Sequence, residues 1–345
     1  MDVVRVEVSL VIDFGIEFVP RDLYWKTTFY AIQAEKTGFD TLWITDHFNN
    51  RNVYVSLAIV SAYTDRIKLG PGVTNPYMAH PVVTAQAVST LNEVAPGRVI
   101  CGIGVGDRTT LQMIHVKPEK PLTTIRESVK IIREITSGKN VELEGKIFTV
   151  SGAQLNFKAP SKIPIFVGAQ GPKMLALAAE VGDGVLINAS HPKDVERAVG
   201  FVREGAEKAG KKAEDLTIAA YTSFSVAKDQ KKAAKAVVPV VAYIVAGSPE
   251  AILEKHGMSA KTATEIRQAI IKGNWKEAFS QIDDKMIEAF SICGTPETVV
   301  EKIGRLVKAG TTQMVVGSPI GPNIRKSINM IAAEVFPHFR EGKTT

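Results

Sequence analysis

Glu17 is the residue best suited to acid–base chemistry in this chain of 345 residues. It stands in "FGIEFVP", between Ile16 and Phe18, behind an apolar run from Val8 to Phe14. A carboxylate among apolar neighbours is costly to bury, and such a flank favours the neutral acid. The alternative is a solvated carboxylate at a strand end. A second polar cluster, "TDHFNN", contributes Asp46, His47 and Asn49. In a strand the adjacent Asp46 and His47 point to opposite faces, so they share a pocket only if the strand has already ended. The other reading is a helix cap or a loop network. No second histidine lies at ligand spacing from His47, so no metal site is expected. Asp107 closes "GIGVGDR", which lacks the third in-register glycine of a dinucleotide turn.

"GAQGPKM" carries a different chemistry. Gly168 and Gly171 permit a tight turn and close ligand approach around Ala169 and Gln170, and Pro172 suits a first helical position. Free N–H groups at that helix start, with Lys173, can hold a phosphate. A plain strand-to-helix turn uses the same glycines. Gly72, between Pro71 and Val73, marks either a bulge with close ligand approach or a simple bend.

These residues follow one another because of how the elements alternate. "KTGFDTLWIT", "EVGDGVLIN" and "KAGTTQMVVGS" each read as a helix end, a glycine cap, and a buried strand. About eight strands are predicted: Val8–Gly15, Thr41–Thr45, Ile67–Thr74, Val99–Gly104, Ile163–Gly168, Gly184–Asn188, Leu216–Val226 and Gln313–Gly317. Helices are predicted over Leu23–Thr37, Val82–Asn92, Thr123–Ser137, Pro172–Val181, Lys193–Ala209, Pro296–Ala309 and Asn323–Phe336. This alternation predicts an α/β protein, a (β/α)8 TIM barrel forming a single domain over residues 1–345, with a doubly wound sheet as the second choice. Two excursions interrupt it: a hairpin at about 139–158, and about three helices over 228–290, between strands seven and eight. In such a barrel the residues just after the strands build the active site. Glu17, the Asp46 loop, "GPGVTNPY" with Thr74 and Asn75, Asp107, "GAQGPKM" and Asn188 all fall there.

Composition narrows the function classes. A formal net charge of +6, without a dense basic block interleaved with aromatics, argues against nucleic acid while permitting an anionic ligand. The two cysteines, Cys101 and Cys293, lack metal-ligand spacing and read as reduced thiols. No apolar run approaches the roughly 20 residues of a membrane helix, and the N-terminus lacks a signal layout. A cytoplasmic enzyme without membrane contact is expected.

Together, "FGIEFVP", "WITDHFNNRNVY", "IKLGPGVTNPY", "GIGVGD", "GAQGPKM", "DGVLINAS", "IVAGSPE", "EAFSICGTPE" and "VVGSPIGPN" resemble the methylenetetrahydromethanopterin reductases of the bacterial luciferase-like superfamily, in order from about Phe14 to Pro337. The resemblance implies coenzyme F420, a 5-deazaflavin with a phosphate and an oligoglutamate tail. It also implies reversible hydride transfer from the reduced deazaflavin to methylenetetrahydromethanopterin, in one-carbon metabolism and methanogenesis. It implies a homo-oligomer, dimer or tetramer, and a non-prolyl cis peptide at Gly72–Val73 backing the deazaflavin. By the same resemblance Glu17 is the acid/base, with Asp107 a second carboxylate of its pocket. Asp46, His47, Gly72, Val73, Thr74, Gly168, Ala169, Gln170, Gly171, Lys173 and Asn188 are cofactor residues, and Asn49 and Asn75 face the pterin. Two features depart from the family pattern: Gly104-Val105-Gly106 has valine where proline is expected, and "RTTLQMIHVKPEK" diverges. About ten residues precede the point where the resemblance begins. The alternatives are another F420- or FMN-dependent luciferase-like oxidoreductase, of the alcohol dehydrogenase or monooxygenase type, and a non-catalytic barrel.

Overall fold

The computed structural model describes residues 11–340. In chain order the elements begin β1 (Asp13–Phe18), α1 (Tyr24–Lys36), β2 (Thr41–Ile44), α2 (Val53–Ser61), β3 (Lys68–Pro71), α3 (Pro81–Val94), β4 (Cys101–Ile103), α4 (Arg108–Met113) and α5 (Pro121–Thr136). They continue β5 (Val141–Glu144), β6 (Thr149–Ala153), β7 (Ile165–Ala169), α6 (Pro172–Val181), β8 (Gly184–Ile187), α7 (Pro192–Lys208) and β9 (Thr217–Val226). The last are α8 (Gln230–Gly247), α9 (Glu250–Lys255), α10 (Ala260–Ile271), α11 (Trp275–Ser280), α12 (Asp284–Phe290), β10 (Ile292–Gly294), α13 (Pro296–Lys308), β11 (Gln313–Ile320) and α14 (Ile324–Met330). With β5, β6 and β10 set aside as excursions, the alternation is that of a (β/α)8 barrel. The chain gathers into two compact units, one of residues 13–188 and 197–219, the other chiefly of residues 189–196 and from 220 onward.

The first unit is an arc of parallel strands. β1 pairs with β2, β2 with β3, β4 with β7 and β7 with β8. Single bridges, Leu69 to Val99 and Thr74 to Ile103, join the β3 and β4 segments. Strands buried on both faces read as continuous apolar runs, which is why "TLWI" and "GVLI" were legible. Register sets a layer of large and small residues. Glu17 stands beside Trp43 and Trp43 beside Gly70, while Gly102 stands beside Phe166 and Phe166 beside Gly184. The Trp43 and Phe166 rings lie 5.6 Å apart. A Cβ on Gly102 would come within 3.1 Å of the Trp43 ring, and one on Gly184 within 2.7 Å of the Phe166 ring. The glycines therefore make room for the two rings.

Two helices of this unit carry buried carboxylates. Glu35 of α1 accepts from the backbone N–H groups of Asp65, Arg66 and Ile67. Glu127 of α5 accepts from Lys146 (2.7 Å), Ile147 (3.0 Å) and Phe148 (2.9 Å), and so fixes the turn of the β5–β6 hairpin.

In the second unit, α8 to α12 bury Val237, Val241, Val245, Leu253, Ile266, Met286 and Phe290 in a core of their own. β10 pairs in parallel with β9, Ile292 beside Phe224.

The hairpin over 139–158 is present as β5 and β6. Other elements differ from expectation. Val8 to Leu10 of the first predicted strand lie outside the described residues. The strand itself runs Asp13–Phe18, because Gly15 stays paired to Thr41 and does not end it, so Glu17 lies within β1 and not after it. The 228–290 excursion holds five helices, not about three. The helix predicted over Asn323–Phe336 is α14 followed by a π-helical turn at Ile331–Val335 and a 3-10 turn at Phe336–His338.

Candidate active site

Glu17 is 5% exposed, with Phe14, Ile16 and Phe18 buried along the same strand. It shares its register position with Trp43, and register partners in parallel strands face the same way. The awkward carboxylate of the sequence thus lies against the fully buried Trp43.

Beyond Trp43 the chain leaves β2 through Thr45, Asp46 and His47. The Thr74 hydroxyl donates to the Asp46 carboxylate at 2.7 Å. Burial pushes the Asp46 carboxyl above its usual range, and the Thr74 hydroxyl and the nearby His47 offset only part of that. Tyr54, on α2, had no signal in the sequence reading. Burial drives its phenol far above the ordinary value, with Cys101 and Asp46 adding to this and the nearby Thr74 and Thr84 hydroxyls opposing it. Burial likewise pushes the Cys101 thiol to about 12. Two buried polar atoms here lack a hydrogen-bond partner: Trp43 Nε1 and Thr45 Oγ1. Buried polar groups are almost always bonded, so a pair of orphans calls for a polar ligand.

Glycines allow close packing around Val73 at the same strand ends. The Gly72–Val73 peptide is cis, as the resemblance implied. A Cβ on Gly104 would stand 2.8 Å from Val73 Cγ2, and one on Gly168 would stand 3.3 Å from Val73 Cγ1. Side chains at 104 and 168 would press on Val73, so the two glycines are what let Val73 sit between these strand ends. After β7, Gly171 is the N-cap of α6 without any side-chain cap, and a Cβ there would meet nothing within 4 Å. Gln170, Gly171 and Lys173 are exposed, and Ala169 is buried. The first N–H groups of α6 therefore face open space beside a lysine, which suits a phosphate. A polar-edged, phosphate-bearing group such as F420 fits this combination of orphaned polar atoms and an uncapped helix start.

The remaining predicted residues divide. His47 is half-buried in the loop after Asp46. Asn49, beyond it, and Asn188, after β8, are exposed. Asn75 is buried, and its carbonyl accepts from the N–H groups of Tyr77 (3.2 Å) and Met78 (3.0 Å), holding the turn after β3. Asp107 is exposed and caps α4, accepting the Thr110 N–H at 2.7 Å. Gly106 just before it has φ +77°, and a Cβ there would come within 3.1 Å of the Asn75 amide carbon. Only glycine lets the loop run this close to Asn75 in that conformation.

Comparison with known proteins accords with this geometry. The luciferase-like monooxygenase family matches residues 26–313. The 5,10-methylenetetrahydromethanopterin reductase of Archaeoglobus fulgidus is 52% identical, over 95% of this chain and 99% of its own length. The solved structure of the coenzyme F420 dependent tetrahydromethanopterin reductase of Methanopyrus kandleri superposes with a TM-score of 0.91 at 44% identity, covering 95% of this chain and 99% of that one. An F420-dependent secondary alcohol dehydrogenase, at 24% identity and a TM-score of 0.81 over 96% of this chain and all of its own, has the same fold. The fold is thus the (β/α)8 barrel of luciferase-like proteins.

Proposed function

Because the chain belongs to the luciferase-like family and, within it, to the 5,10-methylenetetrahydromethanopterin reductases, we propose which of its residues carry out the hydride transfer of that family. The reaction converts methylenetetrahydromethanopterin to its methyl form, reversibly, with reduced F420 supplying the hydride. The protein has then to bind, to orient, and to manage one proton.

Opening the imidazolidine ring of the methylene pterin leaves a nitrogen that takes up a proton. We assign that proton to Glu17. The observation that carries the assignment is a carboxyl group 5% exposed, in register with Trp43. A positioned carboxyl of this kind contributes about 10²- to 10⁴-fold. Asp46, held by Thr74, and His47 would bind the edge of the deazaflavin, with the Tyr54 hydroxyl as a further partner. Gly72, Val73 and Thr74, with Gly104 and Gly168 letting Val73 sit there, would back its ring. Gly168 to Gly171 and Lys173, with Asn188, would hold its phosphate side. Asn49 is an exposed contact for the pterin, and Asn75 shapes the loop that meets it. Asp107 stabilises the start of α4 in this reading and does not transfer the proton.

Among the described residues no helix is long and apolar enough to cross a membrane. The two buried free cysteines favour a cytoplasmic location. A homo-oligomer rests on family resemblance.

The test is purified protein with reduced F420 and methylenetetrahydromethanopterin, followed at the deazaflavin absorption band. Oxidation of F420 with stoichiometric methyl product is expected. No turnover with the pterin, alongside activity on an alcohol or with FMN, would overturn the reading; retention of F420 without any turnover would make the chain a binding protein.

A further inference from the structure

The second unit assembles a cluster that no part of the hydride transfer uses. His191 lies just ahead of α7, Asp194 lies in the first turn of α7, and His256 ends α9. His256 Nε2 and Asp194 Oδ2 are 2.7 Å apart. The two imidazole centroids are 5.0 Å apart, with the rings inclined at 70°. One nitrogen from each ring and one carboxylate oxygen all lie within 4.8 Å of one another. The His256 side chain is 9% exposed and that of Asp194 21% exposed. Phe290 covers the His256 ring edge-on at 5.5 Å.

We infer that His191, Asp194 and His256 form a site for one divalent transition-metal ion of the zinc type, which ties the start of α7 to the end of α9. The donor set argues for this class. Two imidazoles and a carboxylate suit zinc and its neighbours, whereas magnesium and calcium prefer oxygen ligands. Zinc bonds of about 2.0–2.1 Å in a tetrahedron put donors roughly 3.3 Å apart. The His256–Asp194 pair, at 2.7 Å, has to open to reach that value, and no donor lies more than 4.8 Å from the others.

Protons balance simply. The cation displaces the proton from His256 Nε2: a neutral ring shifts to the Nδ1–H tautomer, and a charged ring releases one proton, so the bound ring is neutral in both cases. His191 Nδ1 accepts a long 3.3 Å bond from the Lys193 backbone N–H, and either ring nitrogen reaches the cation by giving up that contact. Two neutral imidazoles and one carboxylate leave one positive charge on the bound ion. The charged side chains that act on this cluster are Lys193 and Glu288, of opposite sign. Water completes the shell, since the cluster is half-buried. A hydrogen-bonded His–Asp pair alone would not require His191. Its nearness, beside a packed aromatic that restrains His256, turns the pair into a three-point holder.

The experiment uses the full chain, freed of metal with a chelator and titrated with Co2+, then with Zn2+. One Co2+ per chain, with the visible absorption of a tetrahedral site, is expected. Zn2+ should bleach that absorption and raise the unfolding midpoint by about 3 °C or more. His191→Ala and His256→Ala should each lose the cobalt absorption and the zinc shift, while His338→Ala keeps both. Far-UV circular dichroism checks that each variant is folded; should His256→Ala not fold, the half-buried His191→Ala still decides. Absence of cobalt absorption in the folded parent, or its survival in His191→Ala, overturns the site. Hydride-transfer turnover of the metal-free protein should stay within about twofold, so failure of the site and failure of the enzymatic reading remain distinguishable.

Discussion

Buried carboxylates meet opposite fates at the strand ends and on the outer helices of the first unit. Asp46, after β2, receives one hydroxyl, and burial pushes its carboxyl up. Glu35 and Glu127 are also buried, and burial by itself would raise them too. The three backbone N–H groups around each outweigh burial and hold both carboxyls down. The number of donors aimed at the anion decides the sign. A carboxylate with three N–H partners is a fastener. Asp46, with a single hydroxyl donor and a raised carboxyl, is available for a ligand.

Glu17→Gln tests the assignment of the proton to β1 and has the largest expected effect. Turnover should fall about 10²-fold or more, with F420 binding measured by fluorescence titration nearly unchanged. Near-normal turnover would remove Glu17 from proton transfer.

Next in size is Glu127→Ala, which should cost about 2 kcal/mol in denaturant unfolding by stripping the hairpin turn of its acceptor. The pH dependence follows from the lowered carboxyl. Its stabilisation is complete above the unfolded value of 4.5 and is lost as pH falls through the lower folded value. Parent and Glu127→Ala should therefore converge in stability in acid. A constant gap at all pH values would mean that the charge is not what holds the turn.

Gly104→Val should weaken F420 binding about tenfold, near 1.4 kcal/mol, by displacing Val73, which a Cβ at 104 would meet at 2.8 Å. Unaltered affinity would show that the deazaflavin does not rest on Val73. Asp107→Ala should give the smallest effect, about 1 kcal/mol of lost capping with turnover within about threefold. A collapse of turnover with the fold intact would restore Asp107 as a partner of Glu17.

The strands of the first unit were legible because parallel strands buried on both faces are apolar throughout and begin after glycine-capped helices. "GAQGPKM" was legible for a related reason: glycine and proline act on the backbone itself. What escaped the sequence was whatever tertiary contact decides. Helix α2, "VYVSLAIVS", is apolar on every side and shows no amphipathic period, so Tyr54 went unseen with it. Strand β10 has three residues and exists by pairing with β9. Asp107 was expected from the family resemblance as a second pocket carboxylate, and its capping of α4 depends on a six-residue helix that was not predicted. Glu35 and Glu127 carry no signal in the sequence, because their N–H partners stand 19 to 32 residues away. His256 and Asp194 are 62 residues apart, a separation that no spacing rule detects.

The layer that seats Glu17 also gives the protein an optical reporter. Of the three tryptophans, Trp25 and Trp275 are 53% and 44% exposed, whereas Trp43 is fully buried. Its emission lies at the blue edge of the spectrum and can be separated from that of the other two. A chromophore seated above Trp43 would drain that emission selectively, so occupancy of the site could be read from the protein's own light, without substrate and without turnover.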